Sequence, residues 1–202
     1  MSESDLCQLA KYMFMRFGIK SVSMDDISQA MGVSKKTLYQ TIDDKKGLIT
    51  SVLDQHMKEV RTSIEDLKSV AENPIHELLL ISKFMTKMLK EISPHTIYDL
   101  KKYYPNHWKK IDQDRSALLL DYISKNLEKG IESGLYRSDL DSALIASLYL
   151  KIAIYVTDEK ILDNPNNASL KLYGEFIKYH LRGIVSEAGM KIIRHYQVLL
   201  NE

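Results

Sequence analysis

Apolar residues recur at helical spacing along most of the chain. From Ser4 to Phe17 they return every three or four residues, and similar stripes run to about Ala71 in the segment after Asp44. Further stripes cover 75–91, 106–132 and the stretch from Ala168 onward, while 143–156 is almost wholly apolar. This period favours amphipathic or buried helices over strands. We therefore expect an all-α fold of about nine helices.

Capping residues place the ends of these helices. Gly18 and Gly32 stop helices, Gly18 in the manner of a left-handed cap, while Ser23 and Ser34 are positioned to cap two short ones over about 24–31 and 35–40. Asp43 and Asp44 precede a helix long enough to join a head to a body.

Similar signals divide the second part of the chain. Asn73-Pro74 starts one helix, Asp139 is predicted to cap the apolar helix that runs to about Thr157, and Gly134 ends the helix before it. The polar run 163–167 predicts a loop, and Gly189 is expected to divide the last helix from a terminal segment.

Composition agrees with an all-α chain and narrows the function. Among 202 residues there are 8 glycines and 4 prolines, too few for the turns of an all-β fold. The formal charge is +1, so any affinity for nucleic acid must come from a local patch. The single cysteine, Cys7, excludes an internal disulfide and a multi-cysteine metal site. Without a signal peptide or an apolar run that spans a bilayer, we expect a cytoplasmic protein with no membrane partner.

The segment from Ser23 to Lys46 meets the demands of a helix-turn-helix. Such a motif needs a small residue where its helices cross, a glycine in the turn and an apolar residue after it. Ser28, Gly32 and Val33 satisfy these demands in order. For Gly32-Val33-Ser34 alone, an ordinary helical hairpin with solvated lysines explains the pattern equally well.

The outward residues of the second short helix carry the chemistry of DNA recognition. Lysines can reach phosphates or guanine edges, glutamine can read adenine, and threonine and tyrosine hydroxyls suit phosphates. A lysine in the first turn of the fourth helix adds a cation. The predicted DNA-binding set is Ser23, Met24, Ser34, Lys35, Lys36, Thr37, Tyr39, Gln40 and Lys45.

The string SMDDISQAMGVSKKTLY, residues 23–39, with FMRFG before it and KKGL after it, closely resembles the N-terminal domain of the TetR/AcrR family. The resemblance covers about the first 50 residues. It departs from the usual pattern at 40–42, where Gln-Thr-Ile replaces an aromatic-His-Phe stretch, and at Ser28, where alanine is more usual. The histidine phosphate contact of some relatives is therefore not carried over.

The resemblance implies a helix-turn-helix domain over 1–47 and a regulatory helical domain over 48–202. It further implies a homodimeric, ligand-responsive repressor on a palindromic operator, with recognition helices about 34–36 Å apart. The residues expected at the dimer interface, for which core burial is an equal alternative, are Leu144, Leu148, Leu170, Tyr173, Ile177, Leu181 and Ile184.

A small hydrophobic or aromatic ligand is expected to bind among the middle helices. The residues that combine apolar walls with phenol and indole groups are Phe84, Met85, Met88, Tyr98, Tyr103, Tyr104, Trp108, Tyr122 and Tyr149. Taken one by one, each suits core or surface packing better than a ligand contact; only as a group do they indicate a pocket.

A helical protein-interaction module is the alternative to a DNA-binding regulator. An enzyme lacks support, because we find no glycine-rich phosphate loop and no nucleophile elbow. His95, His107, Asp99, Asp112 and Asp114 have no accompanying His-x-x-x-His spacing, so neither a metal nor a cofactor is expected.

Overall fold

The computed structural model describes residues 2–91, 93–156 and 168–196, and it confirms the all-α fold. These residues form ten helices and one isolated bridge between Tyr136 and Val185. The helices are α1 Glu3–Phe17, α2 Met24–Ala30, α3 Lys35–Tyr39, α4 Lys45–Val70, α5 Pro74–Glu91, α6 Pro94–Tyr103, α7 Pro105–Glu132, α8 Ser142–Tyr155, α9 Ala168–Ile184 and α10 Glu187–His195.

The helices belong to two compact units, here called the head and the body. The head is Met1–Arg61 with Glu91–Asp114, and the body is Thr62–Lys90 with Arg115–Glu202. The head therefore extends beyond the helix-turn-helix domain expected over 1–47, because it includes α6 and the first parts of α4 and α7.

The head is built around a core to which every one of its helices contributes. Leu6, Ile27, Leu38 and Leu48 are fully buried, and Leu100 of α6 joins them. Burying each of these aliphatic side chains stabilises the fold by about 1.5–3 kcal/mol. Cys7 lies in this core as a free thiol, and burial raises its pKa, as expected of a packing residue.

The body surrounds a group of buried polar side chains. The amide of Asn126 donates to the Glu77 carboxylate (3.2 Å) and to the Pro74 carbonyl (3.0 Å), while the Tyr136 hydroxyl donates to the side-chain oxygen of Asn126 (2.9 Å). Buried polar groups need such partners to offset their lost hydration. Gly130 lets the Tyr136 ring approach, since a Cβ there would lie 2.0 Å from the ring.

Several helix ends differ from the predicted ones. Asp141, and not Asp139, caps α8 by accepting from the Leu144 amide, because α8 begins two residues later than expected. Gly189 lies within α10, whose start is capped by Ser186.

The backbone conformation of Gly18 also differs from the prediction. Its φ of 82° is positive, but its ψ of 150° is extended, so it is not the expected left-handed cap. The loop predicted at 163–167 lies outside the described residues.

The helix predicted to be buried, α8, exposes much of its apolar surface. Leu144 is 58% exposed and Leu148 55%, whereas Ala146 and Tyr149 on the opposite side are buried. An 18-residue window apolar enough to cross a bilayer is not found in any helix of the described residues.

Candidate nucleic-acid interface

The turn between α2 and α3 is fixed by a few short contacts. Gly32 has a φ of 67°, a conformation that favours glycine, and the Val33 amide donates to the Ser28 carbonyl (3.0 Å). Ser28 is buried, and its hydroxyl donates to the Asp25 carbonyl (2.9 Å), so this small side chain is satisfied where the helices cross. The predicted roles of Ser28 and Gly32 in the turn agree with this geometry.

A reciprocal cap closes the start of α2. The Ser23 side chain accepts from the Asp26 amide (3.1 Å), while the Asp26 carboxylate accepts from both the amide and the hydroxyl of Ser23, at 2.7 Å each. The hydrogen bonds from Ser23 lower the pKa of Asp26. Sequence reasoning recognised Ser23 as a cap but missed the partner, because the third helical residue is aspartate where glutamate or glutamine is usual.

Helix α3 presents a polar face around one buried anchor. Leu38 is fully buried, whereas Lys36, Thr37, Tyr39 and Gln40 are exposed. Helix α3 ends at Tyr39, one residue earlier than predicted, and Gln40 is its C-cap. The outer surface of α3 is therefore made of groups that form hydrogen bonds.

Hydrogen bonds and an ion pair order the start of α3. The Ser34 side chain accepts from the Thr37 amide (3.1 Å) and lies 2.8 Å from the Thr37 hydroxyl. The Lys35 ammonium lies 2.5 Å from the Asp25 carboxylate, an exposed pair on the surface. The Asp25 carboxylate of α2 thus partly neutralises Lys35, whereas Lys36 is exposed.

Two members of the predicted DNA-binding set have other positions. Met24 is buried in the head core and is not available to a partner, because the first residue of α2 faces inward. Lys45 is half-buried, and its ammonium donates to the Ile19 carbonyl (2.6 Å), which ties α4 to the connector between α1 and α2. Burial lowers the pKa of Lys45. The adjacent Lys46, which sequence reasoning did not select, is exposed.

The residues expected at a dimer interface fall into two groups. Leu144 and Leu148 are exposed, and Leu170 is half-buried. The other four lie in the core of the body, so for them the alternative of core burial applies: Tyr173, Ile177, Leu181 and Ile184. The stripe of α9 points inward, and its outer face instead carries Leu172 and Tyr179. A repeat every three or four residues marks a buried face but does not reveal which neighbour covers it.

The residues expected around a ligand are divided between the two units. Tyr98, Tyr103, Tyr104 and Trp108 belong to the head, where Tyr104 and Trp108 pack against the core and the other two are exposed. The remaining five belong to the body: Phe84, Met85, Met88, Tyr122 and Tyr149.

Within the body, Tyr122 and Tyr149 lie in a buried aromatic cluster. The Tyr149 hydroxyl lies 3.0 Å from that of Tyr173, and the His180 ring contacts Tyr149 with centroids 5.0 Å apart. Burial raises the pKa of both tyrosines and lowers the pKa of His180 to about 4. The Tyr122 hydroxyl is buried without a hydrogen-bond partner. These groups are neutral at neutral pH and would accept an uncharged ligand more readily than an ion.

Among the described residues, histidine, cysteine and carboxylate side chains form no group of three that could hold a metal ion. His95, His107, Asp99, Asp112 and Asp114 all belong to the head. Asp99 is engaged otherwise, since its carboxylate accepts from the Lys20 amide (2.7 Å).

An N-terminal helix-turn-helix followed by a helical body defines the fold of TetR-type transcriptional regulators, and the chain has that fold. The comparison with solved structures confirms the resemblance at the level of the fold. A TetR-family regulator from Cytophaga hutchinsonii has a TM-score of 0.73 at 16% identity, covering 92% of this chain and 95% of its own. One from Streptomyces coelicolor has a TM-score of 0.71 at 17% identity, covering 91% and 95%.

Curated proteins give weaker similarity of the same kind. An uncharacterized helix-turn-helix-type transcriptional regulator of Bacillus subtilis strain 168, YvaF, is 28% identical over 95 residues, 46% of this chain and 49% of its own. Another from the same organism, YhgD, is 24% identical over 155 residues, 74% of this chain and 78% of its own. The chain thus spans about half the length of the first relative. No family model matches the chain.

Proposed function

We propose that the protein is a sequence-specific DNA-binding transcriptional regulator that represses as a homodimer on a palindromic operator and responds to a small ligand. The observation that carries the proposal is α3, a short helix held by the buried Leu38 and a tight turn at Gly32, with polar side chains on its outer face. A helix so placed enters the major groove in helix-turn-helix proteins.

The exposed side chains of α3 are suited to different groups of DNA. Lys36 and Tyr39 suit phosphate oxygens, and the Gln40 amide can both donate to and accept from an adenine edge. Thr37 offers a methyl group to thymine, because its hydroxyl is already paired with Ser34. Lys35 contributes after exchanging the Asp25 carboxylate for a phosphate.

Dimerisation is proposed on the exposed apolar face of the body. Leu144 and Leu148 of α8 and Leu172 and Tyr179 of α9 are 40–80% exposed, which is unusual for so many large apolar side chains on neighbouring helices. A two-fold axis would use this patch on both copies, so each contact is made twice. Two recognition helices then address successive major-groove half-sites.

The effector is proposed to be a small hydrophobic or aromatic molecule bound in the body. The neutral phenols of Tyr122 and Tyr149 supply hydrogen bonds there, and the unpartnered Tyr122 hydroxyl has a free donor for a ligand oxygen. Binding would favour a dimer whose recognition helices no longer match the operator, which relieves repression. We place the protein in the cytoplasm, in keeping with its free thiol, and regard it as a non-enzyme.

The test is selection of random duplexes by the purified protein, followed by a salt titration of the enriched sequence. We expect an inverted repeat with half-sites one helical turn apart, and a steep fall of affinity with salt. Lys36→Ala should weaken binding and flatten the salt dependence. Lys125→Ala removes an equal charge from the body and is the matched control, since Lys125 pairs with Asp121.

Two results of these experiments would contradict the proposed function in whole or in part. If no repeat is enriched and Lys36→Ala behaves like Lys125→Ala, the DNA-binding regulator is rejected in favour of the helical protein-interaction module. A monomeric protein that still enriches a single half-site would reject only the dimer.

A further inference from the structure

We propose that the exposed lysine–tyrosine patch formed by Lys20, Tyr98, Lys102 and Tyr103 is a second phosphate-binding part of the DNA interface, beside the helix-turn-helix. This inference rests on the proposed DNA-binding function and extends its footprint to α6. All four residues belong to the head.

The patch is held together by lysine–tyrosine contacts. The Lys20 ammonium donates to the Tyr103 hydroxyl (3.0 Å) and lies 4.4 Å from the centre of its ring. The Lys102 ammonium donates to the Tyr98 hydroxyl (2.6 Å) and lies 5.4 Å from the Tyr103 ring centre. The two tyrosine rings meet edge to face at 6.4 Å. These contacts orient two cations on one surface.

The charge of the patch is not cancelled by these partners. Two exposed lysines elsewhere in the chain lie against carboxylates, Lys110 against Asp54 and Lys125 against Asp121. The partners of Lys20 and Lys102 are phenols, which are neutral at neutral pH and raise the pKa of both lysines through their hydrogen bonds. Both ammonium groups therefore stay positive and hold their charge near the surface.

The patch presents hydrogen-bond donors outward. Each phenol oxygen accepts from a lysine, which leaves its own O–H free to donate, and each ammonium keeps at least one further N–H group. The hydrogen bond from Lys20 lowers the pKa of Tyr103 and makes its hydroxyl a stronger donor. A phosphate oxygen accepts from ammonium and tyrosine hydroxyl groups alike, as in many protein–DNA contacts.

The position of the patch ties it to the helix-turn-helix. Lys20 stands three residues before Ser23, the cap of α2, a span of at most about 11 Å of chain. Helix α6 is fixed to this connector and to α1, because the buried Asp99 carboxylate accepts from the Lys20 amide (2.7 Å) and the Thr96 hydroxyl donates to the Phe14 carbonyl (2.8 Å). A strand of DNA offers a phosphate about every 3.4 Å along its axis, so a backbone that passes α2 meets further phosphates next to the patch.

The experiment measures binding of a mixed-sequence duplex of about 40 base pairs, roughly four helical turns, over a range of salt concentrations. Wild type is compared with Lys20→Ala, Lys102→Ala, the double variant and the control Lys125→Ala. Each patch lysine removed should lower the slope of log affinity against log salt by about 0.9 and weaken binding several-fold. The double variant should lose about twice as much slope, while Lys125→Ala should match wild type.

Two further variants separate charge from shape. Lys102→Arg keeps the cation and should retain the wild-type slope, and Tyr103→Phe keeps the ring but removes one donor, with a loss of a few-fold in affinity. Thermal unfolding of every variant checks that the head remains folded, as expected for exposed side chains.

The results distinguish this inference from the function on which it rests. If Lys36→Ala flattens the slope but the double patch variant keeps the wild-type slope, the patch does not bind DNA and is left for an acidic protein partner. If wild type shows no salt-dependent affinity for the duplex at all, the proposed DNA-binding function itself is wrong.

Discussion

Helices α3 and α8 are both partly exposed, but they expose opposite chemistry. Outside its buried Leu38, α3 shows hydroxyl, amide and ammonium groups, whereas α8 shows leucines outside its buried Ala146 and Tyr149. Polar groups are well hydrated while they are exposed, and they can exchange this water for hydrogen bonds to a charged, hydrated surface such as DNA. Exposed leucines gain only when water is removed altogether. This difference supports the two partners that we propose, DNA for the head and a second copy of the chain for the body.

The largest expected effect comes from placing charge on the apolar face of the body. Leu144→Glu with Leu148→Glu should weaken dimerisation by at least about 100-fold, or ~2.7 kcal/mol, because the two-fold axis repeats each unpaired carboxylate. Sedimentation velocity over a range of concentrations measures this change. An unaltered dimer would mean that the contrast between the helices does not reflect their partners.

A second prediction compares a buried histidine in each unit. Burial lowers the pKa of His56 in the head and His180 in the body to about 4, from 6.5. The unfolded chain therefore binds more protons between pH 6.5 and 4, so the free energy of unfolding falls as the pH falls through this window, by on the order of 1–3 kcal/mol for each histidine.

Denaturant titrations at pH 7 and pH 5 measure that loss, and they should show both units weakening. His180→Gln and His56→Gln should each remove part of the pH dependence. If neither variant changes it, burial of these rings is not what makes the fold sensitive to acid.

Exposed side chains of α3 should matter for DNA and hardly for folding. Tyr39 is 46% exposed, so Tyr39→Ala should leave the unfolding midpoint near that of wild type while weakening binding to the selected operator about 10-fold, or ~1.4 kcal/mol. Fluorescence anisotropy and thermal melting on the same preparation test both halves. A large fall in melting temperature with unchanged affinity would reverse the interpretation of this face.

The smallest effect is expected from the cap of α3. Ser34→Ala removes the acceptor for the Thr37 amide and should cost about 1 kcal/mol of stability. Ser34→Asp restores an acceptor, and its stability should return to that of wild type. Urea denaturation followed by circular dichroism resolves a difference of this size, and equal midpoints for all three proteins would show that the cap contributes nothing.

The head could be predicted closely because its signals are local. Ser23, Gly32 and Ser34 act on backbone groups two or three residues away, so their spacing alone specifies the turn and the two caps. Local signals do not reveal contacts that come from distant parts of the chain. They select Met24 for DNA although it fills the core, and they give no sign that the Lys45 ammonium donates to the Ile19 carbonyl.

The body was predicted less well for the same reason. The stripe of Tyr173 and Ile177 marked a buried face of α9 correctly, but periodicity carries no information on whether the same chain or a second copy covers it. The unpartnered hydroxyl of Tyr122 also had no sequence signal, since its surroundings depend on how distant segments pack.

The contact between Lys45 and the Ile19 carbonyl has a consequence for genetics. A reporter screen for loss of repression would recover substitutions of Lys45 beside those of Lys36 and Tyr39, and the phenotypes would look alike. The cause would differ, because losing a half-buried ammonium that joins α4 to the preceding connector lowers the amount of folded protein in the cell. Immunoblots of the mutants would separate the two classes, with scarce protein for Lys45 and normal levels for the others.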